Sequence, residues 1–246
     1  MSEFSRKVAL IAGAGDGLGR AAALAFSRNG ATVVLAGPPS EDLEGTVRLV
    51  HDEGGEGCYV LADITDPDSD AAATMVEAAV RRYGTIDIAF NNATVTCTPT
   101  SVADICETDW TRTLAANLTG VWMAMKHEIA HMERHGGGVI VNTACNLASN
   151  GLLPGLGAYA ASKAALATLT RTAAGEYAAK GIRINAISPG PGHEPGEEAP
   201  THLAFPQGKS ATAEEVAETV VWLCSAESGF LIGHDLVLDR KAASLA

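Results

Sequence analysis

The sequence predicts a single α/β domain built on a doubly wound parallel sheet, and three observations support this prediction. Apolar runs of strand length alternate with longer helical segments along the chain. These runs lack the in-and-out alternation of a half-exposed strand, which indicates a parallel sheet with helices on both faces. The first run also ends in a glycine-rich turn that leads into a helix. Such a turn is typical of nucleotide-binding folds of this class.

The individual elements follow from this alternation. About seven strands are predicted, near residues 7–12, 32–36, 58–61, 86–91, 138–143, 183–188 and 235–238. Helices are predicted between them, near residues 17–29, 41–53, 67–83, 108–134, 159–180 and 213–225. Residues 190–210 are rich in proline and glycine and are predicted to form a loop. Ligands are expected at the carboxyl ends of the strands.

Composition restricts the class of protein. The chain has 246 residues, 47% of them hydrophobic, which suits one domain over residues 1–246 with a sizeable core. A net charge of -12 and a pI near 4.9 argue against binding to nucleic acid or to an anionic membrane. The five cysteines show no paired spacing, which favours a reducing compartment, and the cytoplasm fits best.

The turn after the first predicted strand has the composition of a phosphate-binding site. Glycines let the backbone turn tightly, and they let a pyrophosphate approach the N-terminus of the next helix. The spacing Gly-x-x-x-Gly-x-Gly differs from the strict dinucleotide fingerprint, so a plain glycine turn is an alternative. The candidate cofactor-binding residues in this turn are Gly13, Gly15, Asp16, Gly17, Leu18 and Gly19.

A tyrosine and a lysine four residues apart indicate an enzyme. Tyr159 and Lys163 are predicted to lie one turn apart on the same face of a helix. A nearby positive charge can lower the pKa of a phenol from its reference value near ~10 toward neutrality. A phenol of that kind can exchange protons with a substrate at neutral pH.

Together these motifs resemble those of the short-chain dehydrogenase/reductase family over nearly the whole chain. The resemblance is carried, in order, by the glycine turn, Asp63, Asn91-Asn92-Ala93, Asn117, Tyr159 with Lys163, and Ser188-Pro189-Gly190. It implies a Rossmann-type domain and an NAD or NADP cofactor. It also implies that Tyr159 is the general acid/base, that Lys163 lowers its pKa and holds the nicotinamide ribose, and that Asn117 anchors a water.

The same resemblance implies further contacts with the cofactor and the substrate. Residues 190–210 occupy the position of the family's substrate lid. The implied cofactor contacts outside the glycine turn come from Gly37, Asp63, Ile64, Asn91, Ala93, Tyr159, Lys163, Pro189 and Gly190.

The choice between NAD and NADP is usually encoded at the end of the second strand, where this chain has Gly37-Pro38-Pro39-Ser40. An acid at position 37 would bind the ribose 2′-hydroxyl of NAD, and an arginine near position 38 would pair with the 2′-phosphate of NADP. Neither is present. Asp16 should repel a phosphate, but Ser40 or Arg48 could still reach one, so the sequence favours NAD only slightly.

The family's catalytic serine at the end of the fifth strand is absent. The local pattern places Cys145 at its position, whereas counting back from Tyr159 places Asn146 there. Three interpretations are open. Cys145 donates weakly to the substrate oxygen, Asn146 donates through its amide, or the site no longer reduces carbonyl groups.

Two further features concern binding. Thr94 replaces a glycine that normally lies against the cofactor, and its side chain is expected to crowd the site. His127, His131 and His135 recur every four residues, and we interpret them as a solvated helix face rather than a metal site. No metal is therefore expected.

We expect an NAD(P)-dependent oxidoreductase that reduces a ketone, or oxidises a secondary alcohol, on a small to medium organic molecule. The alanine-rich, lysine-poor composition points toward bacterial secondary metabolism. The alternative is a cofactor-binding homologue whose chemistry is lost or diverted to non-redox proton transfer, binding or assembly. The resemblance also implies a homo-oligomer, a tetramer or a dimer.

Overall fold

The computed structural model describes residues 2–66, 69–145, 154–189 and 211–238. Its strands are β1 Val8–Ala12, β2 Thr32–Gly37, β3 Gly57–Leu61, β4 Ile88–Asn91, β5 Gly138–Thr143, β6 Ile182–Pro189 and β7 Asp235–Leu238. They form one parallel sheet in the order β3-β2-β1-β4-β5-β6-β7. The predicted fold class and the positions of its strands are confirmed.

Helices connect these strands. The described helices are α1 Gly17–Arg28, α2 Leu43–Asp52, α3 Ala71–Tyr83, α4 Glu107–Leu114, α5 Val121–Arg134, α6 Gly157–Tyr177 and α7 Ala213–Cys224. Short 3₁₀ turns lie at Val102–Asp104 and Ala178–Lys180.

Three predicted helices differ from the structure, and one of them, predicted over residues 67–83, begins at Ala71. The one predicted over residues 41–53 begins at Leu43, because the Asp42 side chain accepts a hydrogen bond from the Gly45 N–H and caps the helix. The one predicted over residues 108–134 is divided into α4 and α5 by a π-helical segment, Ala115–Gly120. A π segment inserts a wider turn and often occurs at a functional site.

The two faces of the sheet bury separate hydrophobic cores. On one face, Ile11 packs in a cluster with Phe26 of α1 and Val220 of α7. On the other face, Leu10 belongs to a cluster that includes Met125 of α5. Because helices cover both faces, successive strand residues are all apolar, which explains the missing alternation in the sequence.

The direction in which successive strands are added to the sheet reverses between β1 and β4, and this switch point positions the site. Ala12 pairs with Ala36 of β2 on one side and with Asn91 of β4 on the other. Asn91 in turn pairs with Asn142 of β5. The loops that follow these strands therefore meet at one edge of the sheet, where ligands bind in open α/β folds.

Some predicted features lie outside the described residues. They are Asn146, Gly190 and the loop over residues 190–210. Among the helices of the described ranges, none is both long and apolar enough to cross a membrane.

Candidate active site

Gly13 and Gly19 pack the glycine turn closely against its surroundings. Gly13 has a φ of 74°, which favours glycine, and a β-carbon there would lie only 2.8 Å from the backbone nitrogen of Ala93. A β-carbon on Gly19 would collide with the Gly13 carbonyl oxygen. The Asn92 side chain donates to that oxygen at 3.1 Å. The turn is therefore fixed between β1 and the segment after β4.

Gly17, in contrast, borders open space. It has a φ of 43°, and no heavy atom outside its own turn lies within 4 Å of a β-carbon placed on it. It is the first residue of α1, and the preceding Asp16 makes no side-chain capping hydrogen bond. The first N–H groups of a helix have no partners inside the helix, and they attract anionic groups. The open space beside Gly17, here called the cradle, would therefore accept an anionic group such as a diphosphate.

Glu41 brings a carboxylate to the end of β2. Its Oε2 accepts a hydrogen bond from the Gly15 N–H at 2.8 Å, and a β-carbon on Gly37 would lie 2.6 Å from the same oxygen. Burial raises the pKa of Glu41, and the charges of Asp16 and Asp63 raise it further, against the hydrogen bond from Gly15. The sequence pattern did not predict this contact of Glu41, because the family places the acid at position 37.

Asp63 and Ile64 follow β3 at the same edge. Asp63 Oδ1 accepts hydrogen bonds from the backbone N–H and the hydroxyl of Thr65, at 2.9 Å and 2.6 Å. These bonds form an Asx turn, a local structural role for the Asp63 side chain. The Ile64 carbonyl oxygen lies against Gly120, where any β-carbon would collide with it. Contacts of these residues with a cofactor stay a prediction.

Lys163 lies fully buried in the second turn of α6. Its ammonium donates to the Thr94 hydroxyl at 2.8 Å and to the Thr143 carbonyl oxygen at 2.7 Å. The ammonium lies 5.9 Å from the centre of the Tyr159 ring. Burial lowers the pKa of Lys163 to about 8. The tyrosine and lysine thus share one helix face, as predicted.

The state of Tyr159 differs from the expectation. Burial raises the pKa of Tyr159 above its ordinary value, and the neighbouring Cys145 thiol raises it further. The net lowering of this pKa that the resemblance implied does not appear, because burial is the largest cause of the shift. The ammonium of Lys163 is held by Thr94 and Thr143. The phenol is therefore protonated at neutral pH.

Cys145 lies directly beside the Tyr159 phenol, just beyond the end of β5. Burial raises the pKa of the Cys145 thiol, while the charge of Lys163 and a hydrogen bond with Tyr159 lower it. Because burial dominates, the thiol is protonated at neutral pH. Of the two candidates for the missing serine, Cys145 contacts the phenol, and Asn146 lies outside the described residues.

Asn117 lies in the π-helical segment and is fully buried. Its Oδ1 accepts from the Val95 N–H at 2.7 Å, and its Nδ2 donates to the Val95 carbonyl at 2.8 Å and to the Ser162 hydroxyl at 3.2 Å. Ser162 in turn donates to the Tyr159 carbonyl oxygen at 2.7 Å. The side chain of Asn117 therefore ties the loop after β4 to the helix that carries Tyr159. Its role in anchoring a water stays a prediction.

The side chain of Asn91 points into the core. Its Nδ2 donates to Glu128 Oε2 at 3.1 Å and to Asn142 Oδ1 at 3.0 Å, and Asn142 donates on to the Thr170 hydroxyl at 2.9 Å. Any contact of Asn91 with a cofactor must therefore come from its backbone. Glu128 is fully buried, and burial raises its pKa to about 7. Sequence analysis did not single out this network.

Pro189 ends β6 at the same edge of the sheet, paired with Leu238 of β7. The Ser188 hydroxyl donates to Asp235 Oδ1 at 2.6 Å and joins the two strands. The serine of this motif is therefore structural. Pro189 stays a candidate for cofactor contact.

The histidine interpretation is wrong for His131. His131 is buried, and its Nε2 accepts a hydrogen bond from the Ile86 N–H at 3.2 Å. Burial lowers its pKa, so the ring is neutral. His135 is exposed and stacks on it, with ring centres 3.9 Å apart. Across the described ranges, no cluster of three or more side chains could hold a metal ion.

Comparison with known proteins identifies the family. The family model described as Enoyl-(Acyl carrier protein) reductase matches residues 13–240. A cis-4-hydroxycyclohexanecarboxylate dehydrogenase of Sinomonas cyclohexanicum is 35% identical, and the match covers 96% of each chain. An A-factor type gamma-butyrolactone 1'-reductase of Streptomyces virginiae is 37% identical over 95% of this chain and 94% of the relative.

Solved structures agree with these relatives. The structure of NAD+-bound xylitol dehydrogenase superposes with a TM-score of 0.85 and 30% identity, covering 97% of this chain and 99% of that one. The chain belongs to the short-chain dehydrogenase/reductase family. It is accordingly an oxidoreductase that uses a nicotinamide cofactor. The predicted family and enzyme class are confirmed.

As a short-chain dehydrogenase/reductase, the chain has residues that fit this cofactor. The cradle at Gly17 is open, and Gly13 and Gly19 cannot carry side chains without collisions. At two positions next to Tyr159 and Lys163, the chain differs from the family pattern. Cys145 contacts the phenol at the end of β5, and the Thr94 hydroxyl binds the ammonium of Lys163.

Proposed function

We propose that this short-chain dehydrogenase/reductase interconverts a secondary alcohol and a ketone, with Tyr159 as the catalytic acid and base. The observation that carries the proposal is the contact of a buried, protonated Tyr159 with Cys145, beside the buried ammonium of Lys163. A phenol in this state can donate a proton to a carbonyl oxygen.

Different residues at the carboxyl edge of the sheet are proposed to bind the cofactor and to transfer the proton. The nicotinamide cofactor, when bound, supplies a hydride to the carbonyl carbon or accepts one from the alcohol carbon. Tyr159 donates its proton to the carbonyl oxygen in reduction and takes one from the alcohol in oxidation. Lys163 stabilises the phenolate that forms, because its ammonium is the nearby positive charge. The backbone around Gly17 holds the diphosphate.

Cys145 is proposed to take the position of the missing serine. Its protonated thiol lies against the Tyr159 phenol, so it is placed to donate to the same substrate oxygen. A thiol is a weak donor, and the loss of one strong donor of this kind can lower the rate about 100-fold. We therefore expect slow turnover relative to a serine enzyme. The alternative donor, Asn146, is tested by the same substitutions.

The proposed substrate is a small molecule with a ring next to or containing the reacting carbon. The support comes from two relatives, one named as a cis-4-hydroxycyclohexanecarboxylate dehydrogenase and one as an A-factor type gamma-butyrolactone 1'-reductase. The proposed cofactor is NAD, because Asp16 and Glu41 place negative charge where NADP would place its phosphate.

A second copy of the chain is the proposed partner. An open groove of about 750 Å³ runs between the π-helical segment, α5 and α6. Trp122 is 46% exposed in this groove. The other groove residues are small or apolar, namely Leu118, Thr119, Ala164, Ala165, Thr168, Leu169 and Thr172.

The experiment that tests the function is a substrate screen with NADH and with NADPH. Cyclohexanones, cyclohexanone carboxylates and acyl butyrolactones are offered, and nucleotide oxidation is followed with and without each ketone. Ketone-dependent oxidation that yields the matching alcohol is the expected result. Tight nucleotide binding without turnover of any ketone, or of any alcohol in reverse, would favour the alternative of a cofactor-binding homologue with lost chemistry.

A further inference from the structure

The carboxylate that is absent at position 37 is supplied by a different residue. The chain after β2 turns back on itself, because the Glu41 N–H donates to the Pro38 carbonyl oxygen at 3.1 Å. Two successive prolines, Pro38 and Pro39, restrict the backbone of this turn. The turn folds the Glu41 side chain over Gly37, where a β-carbon would lie 2.6 Å from Oε2. Glu41 thus fills the space of a side chain at position 37.

The glycine turn fixes this carboxylate from the other side. Glu41 Oε2 accepts the Gly15 N–H at 2.8 Å, so one oxygen is held by the backbone that precedes α1. A carboxylate has two oxygens and accepts several hydrogen bonds, which leaves capacity for two neighbouring hydroxyl groups. The 2′- and 3′-hydroxyls of a ribose form such a pair. Gly15 cannot be replaced by a larger residue, because its β-carbon would collide with Glu41.

The charges around Glu41 oppose a phosphate. Asp16 and Asp63 both act electrostatically on its carboxyl group. The nearest described arginine of α1, Arg20, binds the Gly15 carbonyl oxygen and donates to Thr46 at 3.0 Å and Asp42 at 3.2 Å. Arg48, a possible phosphate partner by sequence, pairs with Glu44 at 3.9 Å on an exposed face. Both arginines therefore already have acceptors, Arg20 at the glycine turn and Arg48 on the exposed face of α2.

We propose that Glu41 is the residue that selects NAD over NADP, by accepting hydrogen bonds from the ribose diol at the adenosine end of the cofactor. This inference rests on the proposed function only in so far as the cradle at Gly17 binds the cofactor. The same carboxylate would favour NAD by binding its two ribose hydroxyl groups, and it would disfavour NADP by repelling the 2′-phosphate.

The test measures binding of ADP-ribose and of 2′-phospho-ADP-ribose, alongside NADH and NADPH, to the full chain and to Glu41→Gln. Calorimetry or fluorescence gives each Kd without any turnover. The wild type should bind the unphosphorylated nucleotides at least about tenfold more tightly, and Glu41→Gln should weaken them about tenfold while improving the phosphorylated ones. Glu44→Gln, an exposed acid of the same segment, should change neither.

Each outcome decides one claim. An unchanged preference in Glu41→Gln, with thermal unfolding like that of the wild type, would overturn the role of Glu41 and leave the proposed function standing. Equal binding of both nucleotide classes by the wild type would overturn the role of Glu41 and the proposed choice of NAD, and it would leave the proposed alcohol and ketone chemistry standing. Failure of the wild type to bind any of the four nucleotides would overturn both proposals. Because the glutamine oxygen can still accept the Gly15 N–H, the variant is expected to fold, and Glu41→Ala provides a second test.

Discussion

The ammonium of Lys163 donates a hydrogen bond to the hydroxyl of Thr94 across 2.8 Å, which joins α6 to the segment after β4. The family pattern at position 94 is a glycine, which could not make this bond. Thr94 therefore holds a charge that the resemblance assigns to the nicotinamide ribose. This contact is a specific way in which Thr94 would disturb cofactor binding, because it occupies the ammonium of Lys163.

Thr94→Gly should tighten NADH binding by roughly 2- to 10-fold, because it frees the ammonium and removes a side chain from the site. Thr94→Ser keeps the hydroxyl and should bind like the wild type. Fluorescence titration measures both. Weaker binding in Thr94→Gly would show instead that Thr94 positions Lys163 productively.

Cys145→Ser should raise kcat for ketone reduction about tenfold or more, because a hydroxyl is a better donor to a developing oxyanion than a thiol. Cys106→Ser is the matched control, since Cys106 is exposed on the loop before α4. Its kcat should equal that of the wild type. A lower kcat in Cys145→Ser, together with a loss in Asn146→Ala, would transfer the donor role to Asn146.

The buried carboxyl of Glu128 should make stability depend on pH. Its pKa is about 7 in the folded protein against an ordinary value of 4.5, so the protonated form favours folding. The stability that this group contributes is present in full below about pH 4.5. It decreases as pH rises from about 4.5 to about 7, and above that it changes little. The total change is about 3 kcal/mol.

The side chain in Glu128→Gln cannot ionise, so this variant should not lose stability from position 128 as pH rises. Urea unfolding of both proteins at several pH values between about 5 and 8 measures the difference. Relative to Glu128→Gln, the wild type should become less stable as pH rises. A difference that does not change over this range would mean that Glu128 is already charged, or stays neutral, throughout.

Trp122→Lys should weaken self-association, because it places a charge in the apolar groove beside α6. Sedimentation velocity over a range of concentrations measures the species present. Leu49→Lys is the control, since Leu49 is exposed on α2, away from the groove. A wild type that sediments as a monomer at all concentrations would contradict the proposed partner.

The strands and the edge that carries the site could be predicted because they depend on local sequence. Continuous apolar runs indicate strands that are buried on both faces. The glycines after β1 indicate a tight turn, because glycine readily adopts a positive φ. Tyr159 and Lys163 could also be placed, since four residues in a helix bring two side chains to one face.

Features that depend on contacts between distant segments could not be predicted. Glu41 reaches Gly37 and Gly15 only because of a turn at Pro38, and no spacing rule places it there. His131 follows a regular surface-like spacing, but it is buried because it accepts the Ile86 N–H of another segment. The pKa of Tyr159 is likewise set by burial in the folded chain and not by its neighbour in the helix.

The most direct test of the central claim compares the wild type with Tyr159→Phe, under conditions where the wild type oxidises NADH with a ketone from the screen. The substitution removes only the phenolic hydroxyl, one of several implied cofactor contacts, so the Kd of NADH should change much less than the rate. The rate of ketone reduction should fall about 100-fold or more, because the proton donor is lost. Turnover of Tyr159→Phe at the wild-type rate would contradict the account.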